Sequence, residues 1–170
     1  MVYKKVDMDK VRRQASGISL LVLDVDGVLT DGSIRLDAAG REYKVFHVRD
    51  GCGIRQALEA GIEVAIISGR SCTAVEKRAA ELGISHVHLG VSNKIAVFNE
   101  LLNKLGIKAE AAACVGDDTP DLDCMQAAGL AVAVADAHPD LDAVADWHTQ
   151  HGGGRGAVRE VCDLLMSARG

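Results

Sequence analysis

The sequence has few aromatic residues and no excess of positive charge. Aromatic side chains make up 3% of the 170 residues, whereas 48% of the residues are hydrophobic, so small aliphatic side chains dominate the apolar content. This composition favours an α/β fold, in which helices pack closely on a sheet. The formal net charge of -5 argues against a general nucleic-acid-binding protein. A phosphorylated ligand remains compatible, because a bound cation can reverse the local field.

The sequence also lacks the marks of a secreted or membrane-bound protein. Its five cysteines are widely spaced and include no C-x-x-C pair, so neither a disulfide framework nor a zinc site is expected. No apolar run approaches the ~20 residues that a membrane-spanning helix needs. Residues 1–13 are charged and carry no apolar signal core. We therefore expect a cytoplasmic protein that does not associate with a membrane.

Strand-like and helix-like segments alternate along the chain, with no linker or internal repeat. The apolar runs at 18–23, 63–67 and 111–115 have the pattern of buried parallel strands. Further strands are predicted at 86–89 and 130–134, and helices at about 53–60, 73–82, 94–105, 122–128 and 157–168. This βαβ alternation predicts a single α/β domain over residues 1–170, with a three-layer, Rossmann-like parallel sheet.

One segment interrupts the alternation directly after the first strand. Residues 33–48 read as two strands joined by the turn-like stretch Asp37-Ala38-Ala39-Gly40, which predicts an inserted β-hairpin flap. No other insertion is long enough to form a cap domain, so the flap is the only local cover that the sequence predicts.

The first candidate site follows the first predicted strand. Asp24 and Asp26 stand in the motif D-x-D-G, where loops at the carboxyl ends of parallel strands form the ligand crevice. Two carboxylates so close together are unfavourable without a cation. Mg²⁺ prefers oxygen ligands of this kind and commonly also holds substrate phosphate. A solvated, aspartate-rich turn is the alternative interpretation of this motif alone.

A second acidic cluster follows another apolar strand much further along the chain. Residues 112–115 lead directly into the sequence GDDTPD at 116–121. Pro120 is placed to open a helix, and Asp118 or Thr119 could cap it. Capping does not readily account for Asp117, Asp118 and Asp121 together. Two acidic clusters at strand ends therefore predict one shared metal site.

Two smaller motifs supply groups that suit a phosphate. Ser68 and Gly69 end the second predicted parallel strand, where a hydroxyl and backbone N–H groups could bind a phosphate oxygen. Lys94 opens a predicted helix, a position that the helix dipole disfavours for a cation, so it suggests an anionic neighbour. A simple strand-to-helix turn and a surface lysine are the alternatives.

Taken together, these motifs resemble the four motifs of the haloacid-dehalogenase-like phosphatases. D-x-D-G-V after the first strand, Ser68, Lys94 and G-D-D-x-x-D occur in the order of that family. The resemblance runs from about residue 18 to residue 165, and it includes FHVRDG at 46–51 and the glycine-rich stretch at 152–160. It implies a cap-less phosphatase that acts on a phosphorylated sugar acid.

The resemblance implies a two-step, Mg²⁺-dependent phosphoryl transfer. Asp24 would attack phosphorus and form an aspartyl-phosphate, and Asp26 would protonate the leaving oxygen and then activate water. Mg²⁺ would be held by Asp24, the backbone carbonyl of Asp26 and Asp117. The remaining implied roles are positioning of Asp26 by Thr30, phosphate or substrate binding by Ser68, Gly69, Arg70 and Lys94, and support of Lys94 or metal-bound water by Asp118 and Asp121.

Because the flap is short, the resemblance also implies a homotetramer in which neighbouring subunits complete each site. Arg49 and Asp50 would line the sugar pocket. In the C-terminal tail, about residues 150–170, the glycine run 152–156 could carry Arg155 towards a site. It could equally be a flexible connector to the last helix.

The implied substrate is an octulosonate 8-phosphate used for the lipopolysaccharide inner core, and a nonulosonate 9-phosphate is the nearest alternative. A receiver domain, which is phosphorylated on aspartate and binds partners, also gathers carboxylates, a hydroxyl and a lysine around Mg²⁺. Receiver domains usually lack an acid at the position of Asp26. A non-catalytic regulatory subunit is a further alternative, and it would bind Mg²⁺ without turnover.

Overall fold

A computed structural model describes residues 6–170 and shows the predicted alternation of strands and helices. Within that range the chain forms six α-helices and eight short strands. The helices are α1 (Met8–Ser16), α2 (Val48–Glu59), α3 (Thr73–Leu82), α4 (Lys94–Leu105), α5 (Leu122–Ala127) and α6 (Ala157–Ala168). The strands are β1 (Leu20–Leu23), β2 (Arg35–Leu36), β3 (Glu42–Tyr43), β4 (Glu63–Ile67), β5 (His86–His88), β6 (Ala112–Gly116), β7 (Leu130–Ala133) and β8 (Trp147–His148).

Six strands form one parallel sheet in the order β5-β4-β1-β6-β7-β8. Strand β1 lies between β4 and β6, and Leu23 is in register with Ile66 and Val115. The loops that follow these three strands therefore leave the sheet at the same edge. This register brings the D-x-D loop, Ser68 and the second acidic cluster side by side.

The sheet is covered on both faces, which explains why its strands are continuously apolar. Leu21 and Leu23 of β1 pack in the cluster formed with α1, α2, α3 and α6. Leu20 and Val22 pack in the cluster formed with α4 and α5. The α/β class with three layers is therefore confirmed. Within residues 6–170, no helix has both the length and the apolar content that crossing a membrane would require.

The predicted hairpin is present, although its paired strands are short. Strands β2 and β3 are antiparallel, and Asp37 Oδ1 accepts hydrogen bonds from the N–H groups of Ala39 and Arg41, both at 2.9 Å. Gly40 takes a φ of +76°, which favours glycine at the end of this turn. The hairpin ends before residue 48, because Val48 already belongs to α2.

The start of α2 is the main difference from the sequence-based boundaries. The sequence predicts this helix from about residue 53, whereas it begins at Val48. Gly53 lies inside the helix, where a Cβ would stand 2.9 Å from Arg159 Cδ and 3.1 Å from Cys162 Cβ. The glycine therefore lets α2 approach α6 closely, and it does not mark a helix boundary. Strand β8 and helix α1 were not predicted.

Candidate active site

Most of the candidate site residues predicted from the sequence line one cleft at the carboxyl edge of the sheet. It lies over the ends of β1, β4 and β6 and beside the first turn of α4. Its lining includes Asp24, Asp26, Gly32, Ser68, Gly69, Arg70, Lys94, Asp117, Asp118, Pro120 and Asp121. Side chains from four separate chain segments thus meet in one place.

Lys94 joins the two acidic clusters. Its Nζ donates hydrogen bonds to Asp24 Oδ1 at 2.9 Å and to Asp121 Oδ1 at 2.7 Å. Burial acts to lower the pKa of Lys94, but the charges of Asp24 and Asp121 outweigh that effect and raise it. Asn93 caps α4 by accepting a hydrogen bond from the Ala96 N–H at 3.1 Å, and this fixes where the lysine emerges. The anionic neighbours expected of a lysine at this position are these two carboxylates.

Three carboxylates crowd together at the centre of the cleft. Asp24, Asp117 and Asp121 each offer an oxygen within 4.8 Å of the other two, and they form the only such group found among the described residues. Burial, followed by repulsion from Asp121, raises the pKa of Asp24 to about 6. Burial, followed by repulsion from Asp24, raises the pKa of Asp117 to about 7. Such crowding favours a bound divalent cation, which would neutralise the repulsion.

Asp24 and Asp117 are better placed than Asp121 to bind a metal, because Lys94 occupies only one oxygen of Asp24 and no hydrogen bond to the Asp117 carboxylate is found among the described residues. Asp121 is already committed, because its Oδ1 accepts from Lys94 and its Oδ2 accepts from the Asp117 N–H at 3.2 Å. It therefore braces the lysine and the loop that carries Asp117. Asp118 caps the turn after β6 through a 2.7 Å bond from the Thr119 N–H, the capping role that the sequence allowed.

Asp26 is held by the hairpin, a contact that the sequence motifs do not predict. Lys44 Nζ donates to Asp26 Oδ1 at 2.5 Å and to Glu42 Oε1 at 2.7 Å. Arg70 donates to Glu42 Oε2 at 2.7 Å. Glu42 and Lys44 are two residues apart, so they share one face of strand β3 and its continuation. That alternation around the exposed Tyr43 was the available signal.

Thr30 acts on the backbone of the loop that carries Asp26, so any positioning of the Asp26 side chain by Thr30 would be indirect. Its buried Oγ1 accepts from the N–H groups of Gly27 and Gly32 at 3.4 and 3.3 Å and donates to the Val25 carbonyl at 3.3 Å. The loop is tight for a further reason. Gly27 has a φ of +90°, and a Cβ there would lie 2.0 Å from Asp117 Oδ2. Glycine at this position lets the two acidic loops touch.

Ser68 lies at the base of the cleft, between the ends of β4 and β5. Ser68 is 2% exposed, and its backbone N–H donates to the His88 carbonyl at 2.9 Å. Its Oγ accepts from the Arg70 N–H at 3.3 Å. The hydroxyl hydrogen is therefore available to donate towards the cleft.

Arg49, Asp50 and Arg155 do not line this cleft in the single chain. Asp50 is 1% exposed, and its Oδ1 accepts from the Arg159 N–H at 2.8 Å in the first turn of α6. Burial raises the pKa of Asp50. Arg49 is exposed on α2, and Arg155 Nη2 lies 3.7 Å from Asp31 Oδ2. Asp50 thus anchors α6 and does not line the site.

The glycine run of the tail packs directly on the D-x-D loop. A Cβ on Gly153 would lie 1.7 Å from the Gly27 carbonyl oxygen, and one on Gly154 would lie 2.5 Å from the Asp31 nitrogen. The Gly154 N–H donates to the Val28 carbonyl at 2.9 Å. In this structure the glycine run is packed against the D-x-D loop, so it is not a flexible connector and does not extend into the cleft. It supports the loop that carries Asp24 from behind.

Comparisons with known proteins agree on one family. A sequence model of the haloacid dehalogenase-like hydrolases matches residues 87–160. The 3-deoxy-D-manno-octulosonate 8-phosphate phosphatase KdsC of Escherichia coli strain K12 is 55% identical over 168 residues, which is 99% of this chain and 89% of that protein. The Salmonella typhi phosphatase of the same name is 57% identical over 160 residues, covering 94% of this chain and 85% of the relative.

Solved structures give the same result. The crystal structure of 3-deoxy-D-manno-octulosonate 8-phosphate phosphatase from Yersinia pestis superposes with a TM-score of 0.93 at 49% identity, covering 95% of this chain and 87% of that one. The enzyme from Moraxella catarrhalis, solved with a magnesium ion, a phosphate ion and a KDO molecule, has a TM-score of 0.93 at 42% identity. The superposition covers 95% of this chain and 93% of the Moraxella catarrhalis chain.

Proposed function

This chain belongs to the 3-deoxy-D-manno-octulosonate 8-phosphate phosphatases among the haloacid dehalogenase-like hydrolases, and we propose that it hydrolyses that sugar phosphate through an aspartyl-phosphate on Asp24. The products are the free sugar acid, used in the lipopolysaccharide inner core, and inorganic phosphate. The observation that carries the proposal is the meeting of Asp24, Asp26, Ser68, Lys94 and Asp117 in one cleft.

In the first half-reaction, an Asp24 carboxylate oxygen attacks the substrate phosphorus. The bond from phosphorus to the sugar oxygen breaks, and its electron pair stays on that oxygen, which takes a proton from Asp26. Lys94 stands beside Asp24, where its charge stabilises the transferring phosphoryl group. Ser68 contributes a hydroxyl at the base of the same cleft.

In the second half-reaction, Asp26 takes a proton from a water molecule as the water oxygen attacks phosphorus. The bond between phosphorus and the Asp24 oxygen breaks, and its electron pair restores the carboxylate. One residue can serve both half-reactions because the second proton transfer is the reverse of the first. The net change is a phosphate ester and water converted to an alcohol and phosphate.

Mg²⁺ is the cofactor, and the cleft contains ligands that suit it. The carboxylates of Asp24 and Asp117 and the backbone carbonyl of Asp26 would hold the ion, with Asp121 bracing Asp117 through its N–H. When bound, the ion neutralises the carboxylates and the negative charge of the phosphoryl oxygens. The KDO-bound relative contains magnesium, which supports this assignment.

We also propose that the active unit is a homotetramer whose subunits cover one another's sites. The hairpin is the only insertion over the cleft within residues 6–170, and it leaves the cleft open. Apolar side chains on and beside it are exposed, and they fit an interface with a second copy. They are Ile34, Leu36, Tyr43, Val45 and Val48. Light scattering should give a tetramer, and an active monomer would refute the proposal.

A role in the cytoplasm is supported by the free state of all five cysteines, because a reducing compartment preserves thiols. Fractionation of cells that express the protein should recover its activity with cytoplasmic enzymes. Recovery with secreted proteins would contradict this assignment.

The function is tested by phosphate release from 3-deoxy-D-manno-octulosonate 8-phosphate, with and without Mg²⁺, beside a panel of other sugar phosphates. We expect Mg²⁺-dependent release that favours this substrate. Preference for a nonulosonate 9-phosphate would retain the mechanism and replace the substrate. No release from any ester would refute the hydrolase and favour a phospho-accepting or regulatory module.

A further inference from the structure

Lys44 is a buried cation that the mechanism above does not use. Its side chain is 2% exposed, although the lysine stands on a short surface hairpin. A buried ammonium is costly unless carboxylates compensate it. Lys44 has two such partners, Asp26 Oδ1 at 2.5 Å and Glu42 Oε1 at 2.7 Å. The hairpin therefore places a charged group directly against the acid/base residue of its own chain.

The contact belongs to a closed group of four charges. Glu42 Oε2 accepts from Arg70 Nη2 at 2.7 Å, and Arg70 Nε lies 3.7 Å from Asp26 Oδ2. Each carboxylate oxygen of Asp26 thus faces a different cation. Lys44 reaches it from the hairpin, and Arg70 reaches it from the loop after β4.

We propose that Lys44 is a positioning residue for Asp26, so that the hairpin organises the acid/base group of its own chain. This inference rests on the proposed function of Asp26. Proton transfer requires the carboxyl group to stand within hydrogen-bond reach of the leaving oxygen and later of water. A carboxylate held at Oδ1 by a buried partner keeps its second oxygen in a defined place.

A direct role of Lys44 in substrate binding fits the contacts less well. Its Nζ already has two carboxylate partners and is closed to solvent. Arg70 is 46% exposed, so it is the cation of this group that remains open to a substrate. Loss of Lys44 should therefore lower kcat and leave KM nearly unchanged.

The test compares two esters in the wild type and in Lys44→Met, which removes the charge and keeps the length. One ester is the sugar phosphate, whose leaving oxygen needs a proton. The other is an aryl phosphate that the wild type turns over, such as p-nitrophenyl phosphate, whose leaving group needs none. Arg41→Met is the matched control, because Arg41 lies in the same hairpin, is 83% exposed and pairs with Asp37.

For Lys44→Met we expect kcat on the sugar phosphate to fall about 100-fold, the order of loss for a misplaced catalytic group. On the aryl phosphate, stopped-flow should show a burst of about one nitrophenolate per site at close to the wild-type rate. A slow steady state should follow, because hydrolysis of the aspartyl-phosphate still requires Asp26. Lys44→Arg should recover part of the loss, and Arg41→Met should match the wild type.

Several results would overturn the inference. They are a wild-type kcat in Lys44→Met, a large rise in KM with kcat unchanged, or loss of the burst together with the steady state. If Lys44→Met does not fold, Glu42→Gln serves instead, because it loosens Lys44 and keeps the lysine. Glu42→Gln should show the same nitrophenolate burst with a smaller fall in the steady-state rate. An equal fall in the burst rate and in the steady-state rate would count against positioning. Absence of turnover by the wild type would instead refute the proposed function.

Discussion

Removing divalent metal should make the stability of this protein fall as the pH rises from about 5.5 to about 8. The folded-state pKa is raised from 3.8 to about 6 for Asp24 and from 3.8 to about 7 for Asp117. Burial is the main cause, and carboxylate repulsion adds to it, from Asp121 at Asp24 and from Asp24 at Asp117. A raised carboxyl pKa contributes stability that is fully present below the unfolded value. That contribution is lost as the pH rises through the folded-state pKa.

The size of the effect follows from the shift at Asp24, which is 8% exposed. One pKa unit corresponds to about 1.4 kcal/mol, so the shift of Asp24 alone amounts to about 3 kcal/mol between its unfolded and its folded pKa, of which about 1 kcal/mol is lost between about pH 5.5 and about pH 8. The contribution of Asp117 is not simply additive, because its shift includes the charge of Asp24. Mg²⁺ should restore this stability, and it should do so more strongly at about pH 8, where both carboxylates are ionised.

The assay is urea unfolding of the metal-free protein at about pH 5.5 and about pH 8, repeated with Mg²⁺. Asp24→Asn is the matched control, because it keeps the size of the side chain and removes the charge. The variant should show a flatter pH dependence and a smaller gain from Mg²⁺. The reasoning would be refuted by a metal-free protein that is more stable at about pH 8, or by a variant with the wild-type profile.

Three further substitutions test separate parts of the site. Asp26→Asn should lower turnover by about 100-fold or more with unchanged circular dichroism, and a near-normal rate would remove Asp26 as the acid/base. Gly153→Ala should destabilise the fold by about 1–3 kcal/mol, because the new Cβ would stand 1.7 Å from the Gly27 carbonyl oxygen. Gly17→Ala is its control, since a Cβ there meets nothing closer than 3.7 Å; equal urea midpoints would contradict the packing argument. Lys94→Met should cost about 3–5 kcal/mol without metal, because it leaves Asp24 and Asp121 facing each other, and unchanged stability would show that the lysine is not needed to balance them.

The alternation of strands and helices could be predicted because its causes are local. A parallel strand covered on both faces must be apolar throughout, as β1 is. Gly83 and Gly106 end α3 and α4 in the left-handed conformation, so those helix ends follow from the glycines themselves. The carboxylates at the strand ends could be located for the same reason, because parallel strands bring their following loops to one edge.

The features that escaped prediction depend on contacts between distant segments. Glycine usually weakens a helix, yet Gly53 lies within α2 because α6 packs against it. The sequence of the glycine run is also compatible with a flexible connector. Only the fold shows that the loop around Gly27 occupies the space beside Gly153. Asp50 falls within a motif of the site, but its partner is the start of α6. The alternation around Tyr43 places Glu42 and Lys44 on one face, but the link from Lys44 to Asp26 also depends on how the hairpin docks on the D-x-D loop.

The central claim is that Asp24 carries the phosphoryl group, and acid quenching during turnover tests it most directly. Wild-type protein mixed with 3-deoxy-D-manno-octulosonate 8-phosphate and Mg²⁺ should be quenched within the first turnover and analysed by peptide mass spectrometry. We expect one phosphoryl group on Asp24, more of it in Asp26→Asn if hydrolysis of the intermediate is slowed more than its formation, and none in Asp24→Asn. Turnover with no phosphorylated peptide, or with the phosphoryl group on another residue, would contradict the account.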